Sequence, residues 1–244
     1  MADIMYLLKS QLLKLMPFLN SVVVYFAFVQ DPHGEIWTTV LKCTPIVMLM
    51  FYVVAKGFAL APAFKRSQRI LLGLICSCVG DALLNINLFP HGMGAFAIAH
   101  IWYISAFGWK PLKLELGVIF YIAGVVSVSI VFNRLDVILA IGLPTYTALL
   151  LTTCWRALAL ALQCSSFIHN FCAMGTVVFL ISDLLIGINM FLIAVPYSRL
   201  LIMSTYYLAQ FAIAFSTADE CPELGKHLEN DRPTHKGRSV KTKD

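Results

Sequence analysis

Two aspartates stand out in this chain, because nothing around them favours a charge. Asp81 lies in Gly80-Asp81-Ala82-Leu83-Leu84-Asn85-Ile86-Asn87-Leu88-Phe89, and Asp183 in Ser182-Asp183-Leu184-Leu185-Ile186-Gly187-Ile188-Asn189-Met190-Phe191. Five of the ten aligned positions are identical. A charged aspartate inside a bilayer costs at least about 2.5–3.5 kcal/mol, and such residues mark proton or substrate chemistry more often than they sit idle. Two readings follow. Each carboxyl could be a hydrogen-bond acceptor between helices, since Ser77, Asp81 and Asn85 fall at i, i+4 and i+8 on one polar stripe. Alternatively, the two form an acid and base around a central cavity, one holding a proton while the other is ionised. The second reading is preferred, because two costly groups occur in matched motifs.

Other polar side chains fall on the same inferred helices. Phe96, His100, Tyr103 and Phe107 share one helical face. His100 and Tyr103 read as cavity lining or as an interfacial aromatic belt. Tyr146, Tyr206 and Gln210 read equally as substrate contacts or as helix glue. Lys42 starts the second apolar run, where it could snorkel to the interface or pair with a lipid phosphate. A catalytic zinc takes three protein ligands, and the only other histidine near His100 on that half is His91, in a connection. No metal and no cofactor is expected.

These residues need a scaffold, and composition says which. The 244 residues are 59% hydrophobic and only 13% charged. Soluble domains carry about 25% charged residues. A soluble enzyme, a disordered protein and a nucleic-acid binder are excluded. Eight apolar runs span residues 12–29, 37–55, 69–89, 93–109, 114–132, 136–155, 168–195 and 197–217. The expected fold is all-α, a polytopic transmembrane bundle of eight helices over residues 1–217. Residues 218–244 form a polar tail, expected to be disordered. Each aspartate is expected about a dozen residues from the cytoplasmic start of its helix, roughly 18 Å along it and near or a little past the midplane.

Charge sets the orientation. With eight spans, 15 of the 18 Lys and Arg residues fall on the side of both termini, leaving Lys42, Arg134 and Arg199 opposite. Basic loops stay in the cytoplasm, so both termini are expected there. The seven cysteines are odd in number and lie mostly in apolar runs, so no disulfide framework is expected. Gly117 and Gly124 could mediate a homodimer or pack within the bundle.

The aspartate motifs also suggest a duplication. They lie 102 residues apart, and similar offsets pair Pro45 with Pro144, and Tyr103 and Phe107 with Tyr207 and Phe211. Span two falls on six, three on seven and four on eight. This is a parallel duplication of a four-helix unit about an axis along the membrane normal.

Taken in order, several motifs resemble the signature of the lysoplasmalogenase family of eight-span membrane proteins. They are Lys42-Cys43-Thr44-Pro45; Gly80-Asp81-Ala82-Leu83-Leu84; the run from Phe89 through Gly92, Phe96, Ala99 and His100 to Tyr103; Ser182-Asp183-Leu184-Leu185; and Tyr206-Tyr207-Leu208-Ala209-Gln210. The resemblance covers roughly residues 10–217. It implies hydrolysis of the vinyl-ether bond of lysoplasmalogens, with a lysophospholipid and water as partners. It further implies Asp81 and Asp183 as the catalytic pair and residence in the endoplasmic reticulum membrane. Vinyl ethers hydrolyse through proton transfer to the β-carbon, an oxocarbenium ion and addition of water. A carboxylic acid and a carboxylate suffice for that. The matched motifs leave open which aspartate is the acid. His100 and Tyr103 would orient the aspartates or water, and Asn85, Tyr146, Tyr206 and Gln210 would support them. Lys42 would face the phosphate if the headgroup enters from the non-cytoplasmic side, Arg156 if from the cytoplasm. A proton-coupled transporter and a non-catalytic lipid sensor on the same fold are the alternatives.

Overall fold

The computed structural model describes residues 2–29, 35–55, 65–164 and 166–218. Eight α-helices account for nearly all of them: α1 (Ala2–Phe28), α2 (Ile36–Ala55), α3 (Lys65–Asn85), α4 (Phe89–Phe107), α5 (Leu114–Val131), α6 (Val137–Cys164), α7 (Phe167–Gly187) and α8 (Ser198–Phe215). A lipid-spanning segment must satisfy its own backbone, and a helix does so locally. Six of the described helices, α2, α3 and α5 to α8, are long and apolar enough to cross a membrane. In α1 the apolar stretch is Leu13–Phe28, while the 19 residues of α4 include Pro90, His91 and His100. The exterior is apolar: α5 alone exposes Val118, Ile119, Ile122, Val125, Val126 and Ile130. Such a surface belongs in hydrocarbon, and the chain is an integral membrane protein.

The helix pairings repeat. Within the first half α1 packs on α2, α2 on α3 and α3 on α4; within the second, α5 packs on α6, α6 on α7 and α7 on α8. The halves are joined by α4 on α6 and by α2 on α8. Advancing every number by four, cyclically, converts one set into the other, as a parallel duplication requires. The tightest pairs, α3 with α4 and α7 with α8, are also equivalent. Small residues permit the first of these. A Cβ on Gly80 would meet the Phe96 ring at 2.7 Å and the Gly92 carbonyl at 3.2 Å. Gly117 and Gly124 likewise pack inside, where a Cβ would strike the Trp155 ring and Leu151 respectively. Neither is offered to a second copy.

Several boundaries differ from expectation. The sixth helix runs nine residues beyond residue 155, to Cys164. The third and seventh end early, at Asn85 and Gly187. Past Asn85 the chain turns through Asn87 at φ 63° into α4. Past Gly187 a π-helical turn, Ile188–Leu192, takes over. Arg134 Nη1 donates to the Phe191 carbonyl at 2.6 Å and Asn189 Oδ1 accepts from Val195 N at 2.9 Å, so backbone groups freed there find partners. Each aspartate therefore lies four residues before its helix end. Cysteine usage differs too: Cys43, Cys76, Cys78, Cys154 and Cys172 are free, but Cys164 is disulfide-bonded. The polar tail beyond residue 218 and the connection at 30–34 lie outside the described residues.

Candidate active site

The duplicated motifs bring Asp81 on α3 and Asp183 on α7 to the wall of one small cavity of about 100 Å³. Lys42, Phe96, Tyr146 and Tyr206 line it with them. It has room for a few water-sized groups, so a reacting bond and a water fit but a whole lipid does not.

Asp81 is 2% exposed. Its Oδ1 lies 3.5 Å from Lys42 Nζ, and its Oδ2 accepts from the Tyr206 hydroxyl at 2.6 Å. Lys42 also reaches the Asp81 carbonyl at 3.4 Å, and its own carbonyl accepts from the Tyr207 hydroxyl at 2.8 Å. Lys42 is 9% exposed, which removes the snorkelling reading. A buried ion pair is tolerated when further hydrogen bonds satisfy it, and here α2, α3 and α8 all contribute.

Tyr206 is itself held by a relay. The Tyr103 hydroxyl donates to Gln210 Oε1 at 2.8 Å, and Gln210 Nε2 donates to the Tyr206 oxygen at 3.4 Å. Ser77 Oγ lies 3.3 Å behind the Tyr103 oxygen. Tyr103 thus reaches Asp81 through two intermediaries, and Gln210 and Tyr206 sit where the one-turn spacing on α8 puts them. Gly73 makes room for the Tyr103 ring, which a Cβ there would overlap at 2.2 Å.

Asp183 has different surroundings. The Tyr146 hydroxyl on α6 donates to its Oδ2. No cation pairs with it among the described residues. It is only half-buried, because it also lines a second, apolar cavity of about 350 Å³ between α5, α6 and α7. The two cavities share Leu143, Tyr146, Asp183, Gly187 and Phe191. A third, of about 370 Å³, adjoins on the other side and shares Lys42, Leu84, Phe89, Ile186, Ile202 and Met203 with the first.

Four expected site residues do not line the small cavity: Tyr103 and Gln210, which stand behind Tyr206 in the relay, and His100 and Asn85. His100 places its Nδ1 3.1 Å from Thr153 Oγ1, and its ring packs edge-on against Phe179, Tyr146 and Tyr103. It touches the site through the Tyr146 ring. Asn85 donates to Thr38 Oγ1 at 3.0 Å and Thr39 Oγ1 at 2.7 Å, tying α3 to α2 at the edge of the third cavity. Arg156 is fully buried elsewhere. It donates to the carbonyls of Gly108, Pro111 and Leu112 and lies 5.5 Å from the Trp155 ring centre, clamping the α4–α5 connection. Its Nη2 is buried without a partner, but Arg156 lines none of the three cavities, so it stands apart from the aspartates and from any headgroup bound beside them. Arg199, to which the sequence assigns no site role, lines the third cavity with Tyr25 and Lys42. Its signal was present, as one of only three cations on that face.

The chain is 36% identical over 218 residues to the Homo sapiens protein named Lysoplasmalogenase TMEM86A, covering 86% of this chain and 91% of that one. The Bos taurus protein of that name is also 36% identical, with the same coverage. Homo sapiens Lysoplasmalogenase TMEM86B is 31% identical over 204 residues, 83% of this chain and 85% of its own. No solved structure matches. Residues 37–217 match the YhhN family from the start of α2 to the end of α8, and the chain belongs to that family.

Proposed function

We propose that the chain is a lysoplasmalogenase, a membrane hydrolase that cleaves the vinyl-ether bond of 1-alkenyl lysophospholipids to a fatty aldehyde and a glycerophospho-base. The observation that carries this reading is the convergence of Asp81 and Asp183 on one small cavity that shares a wall with an apolar groove. The relatives' printed names supply the substrate class.

The unequal partners of the two carboxyls divide the roles. An ammonium beside Asp81 compensates a carboxylate. Asp183 has a neutral phenol instead, so the proton sits there. Asp183 gives that proton to the β-carbon of the alkenyl group, and the positive charge develops on the α-carbon and ether oxygen. The Asp81 carboxylate faces that charge and stabilises it. Water adds to the α-carbon, and its proton passes to Asp81. The hemiacetal then collapses: Asp81 returns the proton to the departing glycerol oxygen, Asp183 takes the hydroxyl proton, and the aldehyde forms. Both groups end as they began, and water is the only co-reactant. The alkenyl chain lies in the groove between α5, α6 and α7, which is lined almost wholly by apolar side chains.

Cytoplasmic termini belong to the same reading, supported by the distribution of basic residues; the separate polar tail at 218–244 rests on its composition, and residence in the endoplasmic reticulum on the family resemblance alone. A homodimer stays within it as an arrangement without a carrier in Gly117 or Gly124.

The test is aldehyde release from a 1-alkenyl lysophospholipid by purified protein in detergent, beside Asp81→Asn and Asp183→Asn. Release by the unaltered chain, abolished in both folded variants, is expected. Full activity in either variant, or none in the unaltered chain, would sink the proposal; proton-coupled flux without product would then support a transporter.

A further inference from the structure

Three cations lie on the Lys42 face of the bundle. Lys42 is paired with Asp81, and Arg134 is bound to the Phe191 carbonyl. Arg199, at the start of α8, makes no hydrogen bond or ion pair among the described residues, and its Nη1 is buried without a partner. Beside it in the third cavity stands Tyr25 of α1, 1% exposed, whose hydroxyl is also buried without a partner. Burying a guanidinium nitrogen and a phenol with nothing to bond costs free energy at both. Two such donors on one wall fit an acceptor that arrives with a ligand. Asn189 and Ser198 add polar groups to the same cavity, and Asn189 keeps its amide donors while its oxygen holds Val195 N.

We propose that Arg199 and Tyr25 form the recognition site for the phosphate diester of the lipid, with Lys42 at the boundary between this site and the reacting cavity. The planar fork of a guanidinium matches two phosphate oxygens, and the charge-assisted bonds it makes are the strong ones. The geometry of the substrate agrees. In a 1-alkenyl lysophospholipid the ether oxygen and the phosphate-bearing oxygen sit on opposite ends of one three-carbon glycerol unit. The phosphate must therefore bind next door to the reacting bond, and the third cavity shares six lining residues with the first. The chain runs the opposite way, from Asp183 into the apolar groove. The identity of the lipid rests on the hydrolase reading above; the phosphate preference rests on the donors alone.

The test uses the full chain in detergent and two vinyl ethers differing only at sn-3: 1-alkenyl-glycerophosphocholine and 1-alkenylglycerol. Arg199→Gln lowers the ratio of kcat/KM for the phosphorylated over the neutral substrate by about tenfold or more, mostly through KM. Arg199→Lys, which keeps the charge and loses the fork, recovers part of the ratio. Tyr25→Phe moves it the same way by less. An unchanged ratio in Arg199→Gln overturns the proposal. A second arm measures binding of the non-cleavable 1-alkyl-glycerophosphocholine and 1-alkylglycerol by thermal shift. The unaltered chain prefers the phosphorylated ether, and Arg199→Gln abolishes the preference. If no aldehyde forms in the first arm but this preference holds, the hydrolase reading fails and the phosphate site stands. If the preference is absent, the phosphate site fails whatever the chemistry. Inorganic phosphate at millimolar concentration leaves lipid binding unchanged; displacement would overturn the lipid headgroup as the ligand and assign the site to free anions.

Discussion

Lys42 Nζ lies 3.5 Å from Asp81 Oδ1, and the matching place beside Asp183 holds no cation. The Pro45–Pro144 alignment explains the difference, because it puts Ile141 opposite Lys42. Two nearly identical motifs thus acquire different electrostatics from helices two and six, not from their own residues.

Breaking that pair has a measurable signature. Removing one partner of a buried ion pair leaves the other uncompensated, at a cost of about 3–5 kcal/mol. Lys42→Met is expected to lower the melting temperature in detergent sharply and to reduce aldehyde release at least about a hundredfold. Adding Asp81→Asn to the same chain should restore most of the stability and none of the activity. Stability losses that simply add would show that Lys42 is not the counter-ion of Asp81.

The relay behind Asp81 predicts an order of effects. Tyr206→Phe removes the hydroxyl that bonds the carboxylate, and Tyr103→Phe removes only the group that holds Gln210. Each loss leaves an acceptor short of a donor, at about 1–3 kcal/mol. Tyr206→Phe should depress kcat more than Tyr103→Phe, with little change in KM for either. The reverse order would place Tyr103 in direct contact with the reaction.

Gly80 on α3, packed against α4, and Gly94 on the exposed side of α4 should behave oppositely. At Gly80 a methyl group meets the Phe96 ring and the Gly92 carbonyl, so Gly80→Ala should force α3 from α4 and cost about 1–3 kcal/mol, with loss of activity through the adjacent Asp81. At Gly94 nothing lies within 4 Å. Gly94→Ala should hold or raise stability by up to about 1 kcal/mol, since alanine is the better helix residue. Thermal unfolding of both proteins decides it; equal destabilisation would refute the close α3–α4 approach.

Arg156 should matter to stability and not to substrate. Arg156→Met leaves the carbonyls of Gly108, Pro111 and Leu112 without their donor. A marked fall in melting temperature is expected, with KM of the surviving enzyme unchanged. A rise in KM specific to phosphorylated substrate would return Arg156 to the headgroup.

The apolar groove should set chain length. Val128 of α5 lines it opposite Asp183 and Leu184. Val128→Trp should shift the preference among 1-alkenyl lysophospholipids toward shorter chains. Unaltered selectivity across a chain-length series would place the chain elsewhere.

The sequence by itself determined the membrane class, the eight helices and the two aspartates. Low charge and long apolar runs leave a chain no other way to satisfy its backbone, and a carboxyl in hydrocarbon is conspicuous by its cost. The duplication was legible too, because matched motifs must fall on matched helices. Only the tertiary structure decided the partners. That Lys42 faces Asp81, that Tyr206 and Tyr146 each take a different aspartate, and that Arg156 clamps a loop while Arg199 lines a cavity all depend on contacts between residues 37 to 125 positions apart. Helical periodicity fixes which residues share a face, but not which face of another helix it meets. The ends of the two aspartate-bearing helices differ from expectation for a related reason. Hydropathy runs on past Asn85 and Gly187, while the helices stop there, where a turn, the Arg134 donor and the Asn189 acceptor take over the backbone.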